Sequence, residues 1–115
     1  MLEQIKKVIK KIEELSISKP IKVISHYDTD GITSAAIFSR TLQRWRKKFS
    51  IEIVKGLDET YVKSLPEDHV LIFLDLASGS LDYLKDKKTE VFILDHHEVV
   101  QKLPNNVTII NPPLS

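Results

Sequence analysis

Residues 24 to 34 hold the side chains whose types and spacing are best suited to chemistry, with His26, Asp28 and Asp30 at alternate positions. An apolar run precedes them and a helix-like segment beginning at Gly31 follows, so they fall in a turn between a strand and a helix. Two carboxylates beside an imidazole in such a turn are typical ligands of a hard divalent cation such as Mg²⁺ or Mn²⁺. An Asp-rich turn that only caps a helix gives the same pattern, and this stretch alone leaves both interpretations open.

Two further apolar runs end in the same kinds of side chain. One run is followed by Asp75, and the next along the chain is followed by Asp95, His96 and His97. Gathering several carboxylates at one place is costly unless a cation neutralises them. A mixed set of aspartates and histidines around two ions is the arrangement of two-metal hydrolases. His69 opens a strand at the opposite end of the sheet, and we interpret it as structural.

The elements that must position these residues are short apolar strands separated by helical segments. The predicted helices cover 2–15, 31–47, 58–65 and 80–85, and the predicted strands cover 21–25, 50–55, 69–74, 91–94 and 107–110. This alternation predicts an α/β fold, a doubly wound, mainly parallel five-stranded sheet with helices on both faces. Right-handed crossovers favour the strand order 2-1-3-4-5, in which ligands bind beyond the carboxyl ends of strands 1 and 3.

The composition of the chain excludes several classes of protein. The net charge of +1 gives no general attraction to polyanions, and the absence of cysteine excludes disulfides and thiolate zinc sites, which suits a cytoplasmic protein. No apolar run approaches the roughly 20 residues of a membrane span, so we expect no membrane partner.

Two groups of cations stand out against this near-neutral balance: Lys6, Lys7, Lys10 and Lys11 in the first helix, and Arg40, Arg44, Arg46, Lys47 and Lys48 at the end of the second. The first group is interpreted as a solvated helix face, and the second complements the helix dipole. At ~1.5 Å per residue, the second group lies roughly 20 Å from the acidic turn. These cations could contact a long strand but cannot clamp a phosphate at the metal site.

The triplet Asp95-His96-His97 resembles the defining motif of the DHH phosphoesterase superfamily. The pattern His26-x-Asp28-x-Asp30-Gly31 is similar to its first motif, Leu74-Asp75 to its second and Asn111-Pro112 to the start of its fourth. The resemblance spans residues 21 to 113 and implies a Rossmann-like DHH domain. The details around the first two motifs resemble archaeal RecJ-like nucleases, including the GINS-associated nuclease.

The resemblance implies two Mn²⁺ or Mg²⁺ ions. It implies that His26 and Asp28 hold one ion, that Asp30 and His96 hold the other, and that Asp75 bridges them.

The remaining residues of these motifs would act on the substrate. The resemblance implies that His97 donates to the scissile phosphate and that Asp95 orients the imidazoles. The first turn of the Gly31 helix would add N–H groups toward phosphate.

By the same resemblance, the function is metal-dependent phosphodiester hydrolysis by a RecJ-like, single-strand-specific exonuclease acting on DNA or RNA in replication or repair. Single-stranded nucleic acid is the expected partner, with GINS or replicative helicase components as further partners. The alternatives are a non-catalytic replication scaffold and a small-molecule or oligonucleotide phosphoesterase. The family also has a further Asp ligand and a second domain. We therefore expect 1–115 to be one DHH domain that ends before both and is weak or inactive alone.

Overall fold

The structure, a computed structural model, describes residues 2–15, 19–44, 46–74, 76, 81–94 and 106–110. Its helices are α1 (Leu2–Leu15), α2 (Thr29–Arg44), α3 (Glu59–Ser64) and α4 (Leu81–Leu84). Its strands are β1 (Ile21–His26), β2 (Phe49–Val54), β3 (Val70–Leu74), β4 (Val91–Leu94) and β5 (Val107–Ile110). The predicted elements are therefore confirmed, with small shifts at their ends.

The strands form one parallel sheet in the order β2-β1-β3-β4-β5. Leu74 of β3 is in register with Ser25 of β1 on one side and with Leu94 of β4 on the other. The carboxyl ends of β1, β3 and β4 therefore lie side by side at one edge of the sheet. The predicted strand order is confirmed, and this edge is the switch point at which ligands bind in such folds.

Helices cover both faces of the sheet, and the central strand is therefore buried on both. Every residue of β3 is buried, with Ile72 on the face covered by α1 and α2 and Phe73 on the face covered by α3 and α4. The helical members of the two core clusters are Ile12, Ala35, Phe38 and Leu42 on the first face and Val62 and Leu84 on the second. This double burial explains why the sequence of β3 is a continuous apolar run.

Helix α2 begins earlier and ends earlier than predicted, at Thr29 and Arg44 instead of 31 and 47. At its C-terminal end Arg46 adopts a left-handed φ of 55°, its N–H donates to the Gln43 carbonyl, and the Lys47 N–H donates to the Leu42 carbonyl. This pair of hydrogen bonds closes the helix. The Lys47 side chain then lies 3.6 Å from Glu13 and ties the end of α2 to α1.

The opposite edge of the sheet is held by buried polar contacts. The buried Lys87 ammonium donates to the Leu65 carbonyl at 2.7 Å and lies 3.0 Å from Glu67. The Thr89 hydroxyl donates to the His69 carbonyl, which fixes the start of β3. His69 therefore stands at the amino edge, away from the acidic turn, as its structural interpretation requires. None of the helices in these ranges is long and apolar enough to cross a membrane.

Candidate metal centre at the carboxyl edge of the sheet

The turn from β1 into α2 is unusually close-packed. Gly31 is buried, and an ideal Cβ added there would lie 2.0 Å from the His26 carbonyl oxygen. The buried Ser25 hydroxyl reaches across the turn and donates to the Gly31 carbonyl at 2.6 Å. Glycine is thus required at this position by space, because any side chain would displace the first turn of α2 from the end of β1.

Asp28 is the residue that starts α2. Its Oδ1 accepts the Gly31 N–H at 2.8 Å, and its backbone carbonyl accepts the Ile32 N–H at 2.9 Å. These are the two hydrogen bonds of a helix N-cap, and they explain why α2 begins at Thr29. The capping interpretation of the turn is therefore correct. It is compatible with metal binding, because only one of the two carboxylate oxygens is used in the cap.

The second carboxylate oxygen of Asp28 faces an imidazole. The His26 Nδ1 lies 2.9 Å from Asp28 Oδ2, and the His26 Nε2 lies 3.1 Å from the Lys55 carbonyl oxygen. A neutral imidazole binds a cation through the lone pair of one ring nitrogen. Since both ring nitrogens face acceptor oxygens, a cation bound by His26 must replace one of these two contacts.

Asp30 and Tyr27 complete the described part of the turn. Asp30 is exposed in the first turn of α2, where the helix dipole favours a negative charge. Tyr27 is 53% exposed, and its ring meets the His26 ring edge-on with the centroids 4.9 Å apart. An aromatic face therefore stands beside the acidic turn.

The other predicted site residues, Asp75, Asp95, His96 and His97, lie outside the described residues. The strands that lead to them are described, and the last residues of those strands, Leu74 and Leu94, are neighbours in the sheet. Within the described ranges no group of three or more acidic or imidazole side chains is arranged to hold a metal ion. The donor set of His26, Asp28 and Asp30 suits Mg²⁺ or Mn²⁺ by its chemistry, and the complete ligand set stays a prediction.

Gly31 was predicted to offer its N–H to a substrate phosphate. In the structure this N–H donates to Asp28 Oδ1, so the role remains a prediction that needs Asp28 to release it. Three contacts of the turn were not anticipated: those of Ser25, Lys55 and Tyr27. The polar Ser25 within an apolar strand was a signal that could have been used, whereas the Lys55 carbonyl reaches His26 only through strand pairing.

These features place the chain in a class of protein: parallel, doubly wound α/β domains with a turn of carboxylate and imidazole residues at the carboxyl edge of the sheet. The chain belongs to the DHH family: the profile of the DHH family, N-terminal domain, matches residues 20–115. Its predicted α/β fold and its RecJ-like character are both confirmed.

Two curated proteins share sequence with the chain. An uncharacterized protein of Methanocaldococcus jannaschii, MJ0831, is 32% identical over 121 residues, which cover 96% of this chain and 28% of that protein. The single-stranded-DNA-specific exonuclease RecJ of Bacillus subtilis is 25% identical over 111 residues, covering 87% of this chain and 14% of that protein. The chain thus spans less than a third of the length of either relative.

Two solved structures share the fold. RecJ of Thermus thermophilus, in complex with Mn²⁺, superposes with a TM-score of 0.70 at 22% identity, over 94% of this chain and 16% of that one. CDC45 of Entamoeba histolytica superposes with a TM-score of 0.72 at 18% identity, over 97% of this chain and 25% of that one.

Proposed function

We propose that this chain is the metal-binding domain of a RecJ-like, cytoplasmic enzyme that hydrolyses phosphodiester bonds of single-stranded nucleic acid in replication or repair. The observation that carries the proposal is the turn of His26, Asp28 and Asp30 at the carboxyl edge of β1. In the sheet β1 adjoins β3 and β3 adjoins β4, and these two strands lead to Asp75 and to Asp95, His96 and His97.

In the proposed site, His26 and Asp28 would hold one Mn²⁺ or Mg²⁺ ion, Asp30 and His96 would hold the other, and Asp75 would contribute to both. When bound, the two ions offset charge on the attacking and leaving oxygens and make water a better nucleophile at neutral pH. Asp28 would have two tasks, because Oδ1 caps α2 and keeps the turn in place while Oδ2, which lies 2.9 Å from His26 Nδ1, would turn to the ion. The Lys55 carbonyl holds the His26 ring from the side of β2.

The remaining motif residues act on the substrate in this proposal. His97 donates a hydrogen bond to the scissile phosphate, and Asp95 orients the neighbouring imidazoles. Tyr27 presents an aromatic face beside His26 on which a nucleobase can stack, and such stacking is the usual way to bind single strands without sequence preference. An inorganic phosphate or pyrophosphate would make no use of that face.

The comparisons support this substrate class over a small-molecule substrate. The Bacillus subtilis relative is named as a single-stranded-DNA-specific exonuclease, and the Thermus thermophilus structure holds Mn²⁺. We further propose that a second domain and a further Asp ligand come from outside residues 1–115, so that this segment alone is weak or inactive.

A second candidate is a non-catalytic scaffold that joins GINS or replicative helicase components. It is favoured by the superposition on CDC45 and by the engagement of both His26 ring nitrogens in contacts with protein oxygens.

The test is digestion of labelled single-stranded DNA, single-stranded RNA and a dinucleotide by the intact protein, with Mn²⁺ and with a chelator. Mn²⁺-dependent digestion of a long strand is the expected result. Digestion of the dinucleotide alone would assign a small-molecule phosphoesterase. Strand binding without any hydrolysis would assign the scaffold.

A further inference from the structure

The two faces of the sheet carry different charge. Helices α1 and α2, on one face, present what we call the basic surface, made of six exposed side chains: Lys6, Lys7, Lys10, Lys11, Arg40 and Arg44. The other face, covered by α3 and α4, carries exposed acids such as Glu59 and Asp82 together with exposed cations such as Lys63 and Lys85. The overall charge of +1 therefore conceals a local excess of cations on the face covered by α1 and α2.

The cations of the basic surface are not used in ion pairs within the described residues. Lys47, beside them, is paired with Glu13, and on the opposite face Lys63 and Lys87 are paired with Glu59 and Glu67. No ion pair among these residues involves any of the six side chains of the basic surface. Their charge is therefore available to a partner.

The helix dipole does not explain this surface. Cations are favoured in the last turn of a helix, and Arg44 fits that rule. The last turn of α1 contains no basic residue, and Lys6 and Lys7 lie beyond its first turn, where the dipole gives no preference for positive charge. Solvation of a helix face needs polar residues of either sign, and α1 places four exposed lysines there beside the exposed Glu14.

The surface has a shape as well as a charge. Both helices pack on the same core, Ile12 from α1 and Phe38 from α2, and the ion pair between Lys47 and Glu13 joins their C-terminal ends. On α2, Arg40 and Arg44 line an open cavity of about 350 Å³ whose other described walls are Ala36, Ile37 and Thr41. Guanidinium groups beside apolar walls suit a chain of alternating phosphates and bases.

We propose that the basic surface binds the phosphate backbone of single-stranded nucleic acid, as a contact site separate from the metal centre. The substrate class rests on the proposed function, but the surface does not require hydrolysis. Arg44 lies fourteen residues after Asp30 on the same helix, which at ~1.5 Å per residue is roughly 20 Å. The surface therefore contacts only strands that extend well beyond the nucleotide at the metal centre, and it selects long strands over dinucleotides.

The test measures binding of a fluorescent single strand of about 20 nucleotides to the intact protein in a chelator, over a range of salt concentrations. Two double variants remove charge from the surface, Lys7→Gln with Lys10→Gln, and Arg40→Gln with Arg44→Gln. The matched control removes two exposed cations from the opposite face, Lys85→Gln with Lys88→Gln. Because each phosphate contact contributes about 0.7 to the logarithmic salt slope, each surface variant should lower the slope by about 1.4.

We expect about a tenfold loss of affinity in each surface variant at low salt, and little change in the control. Equal losses in all three variants would show a general charge effect and overturn the proposal, as would unchanged affinity in the surface variants. A long strand that the unmodified protein does not bind would also overturn it. Thermal unfolding of each variant checks that the fold is retained.

Hydrolysis separates this proposal from the proposed function. Cleavage of a dinucleotide should be unaffected in the surface variants, because it does not reach α1 or the end of α2. If the protein binds the strand through the basic surface but hydrolyses nothing, this proposal is supported and the proposed function is wrong. Loss of dinucleotide cleavage in the surface variants would indicate damage to the site and count against a separate surface.

Discussion

The carbonyl oxygen of His26 lies 2.0 Å from the position that a Cβ on Gly31 would take. Alanine normally stabilises a helix by about 1 kcal/mol over glycine. At Gly31 we expect alanine to destabilise the protein instead, because its Cβ would clash with backbone and the turn would have to open. We expect Gly31→Ala to lower the midpoint of urea unfolding and to weaken Mn²⁺ binding, since His26 and Asp28 flank the displaced turn.

Gly56 provides the control for this substitution, because a Cβ there would meet nothing within 4 Å. Gly56→Ala should leave unfolding and metal binding near those of the unmodified protein. Equal unfolding midpoints for the two alanine variants would contradict the close approach of α2 to β1.

Asp28 and Asp58 cap their helices in the same way, each accepting a backbone N–H on Oδ1 at 2.8 Å. Asparagine keeps a cap and removes the charge, whereas alanine removes both at a cost of about 1 kcal/mol. We expect either Ala variant to lower stability and either Asn variant to preserve it. Only Asp28→Asn should lower Mn²⁺ affinity in calorimetric titration. Unchanged affinity in that variant would leave Asp28 as a cap and nothing more.

The proposed roles of Asp75 and His97 separate metal binding from catalysis. Asp75→Ala in the intact protein should lower both Mn²⁺ affinity and activity, because the bridging charge is lost. His97→Ala should lower turnover by about 10²–10³ while metal affinity stays near that of the unmodified protein. Calorimetric Mn²⁺ titration decides the first point, and an Asp75→Ala variant with full affinity would overturn the bridging role.

Tyr27 should contribute to binding through its exposed ring. Since stacking of a base on an aromatic side chain is worth about 1–3 kcal/mol, Tyr27→Ala should raise the KM for a single strand about tenfold, while Tyr27→Phe should not. An abasic nucleotide at the position next to the scissile phosphate provides the control, because it removes the stacking partner. If Tyr27→Ala weakens binding of the abasic and normal strands equally, the ring does not contact that base.

Stability at acidic pH should depend on Glu67. Burial raises the pKa of Glu67, but the Lys88 N–H and the Lys87 ammonium outweigh it and hold that pKa below its ordinary value of 4.5. A lowered pKa in the folded state gives stability that is present above pH 4.5 and is lost as the pH falls through the folded value. We expect Glu67→Gln to reduce this loss in urea unfolding measured across that range.

Glu59 provides the comparison for Glu67. It pairs with Lys63 on the surface of α3, and that pair lowers its pKa as well. Because Lys63 is exposed whereas Lys87 is buried, Glu59→Gln should change the acid dependence less than Glu67→Gln. A larger change in acid dependence for Glu59→Gln than for Glu67→Gln would contradict the importance of the buried Lys87.

The sequence by itself determined the fold and the position of the acidic turn. Strands buried on both faces must be continuously apolar, so β3 and β4 were visible as runs, and their parallel pairing followed from the helical segments between them. The start of the helix predicted over 58–65 was visible because the Asp58 cap that begins it is a local interaction within four residues. The ligand types at three strand ends likewise required only the sequence.

Only the tertiary structure decided the details that depend on packing. The start of α2 at Thr29 depends on Asp28, and only the structure shows which aspartate of the turn caps the helix. The Lys55 carbonyl contacts His26 because β2 pairs with β1, and the residues around His26 in the sequence do not predict that contact. The gathering of the α1 and α2 cations on one face also required the topology, because the face of the sheet that each helix covers is set by the crossovers between strands and not by the helix itself.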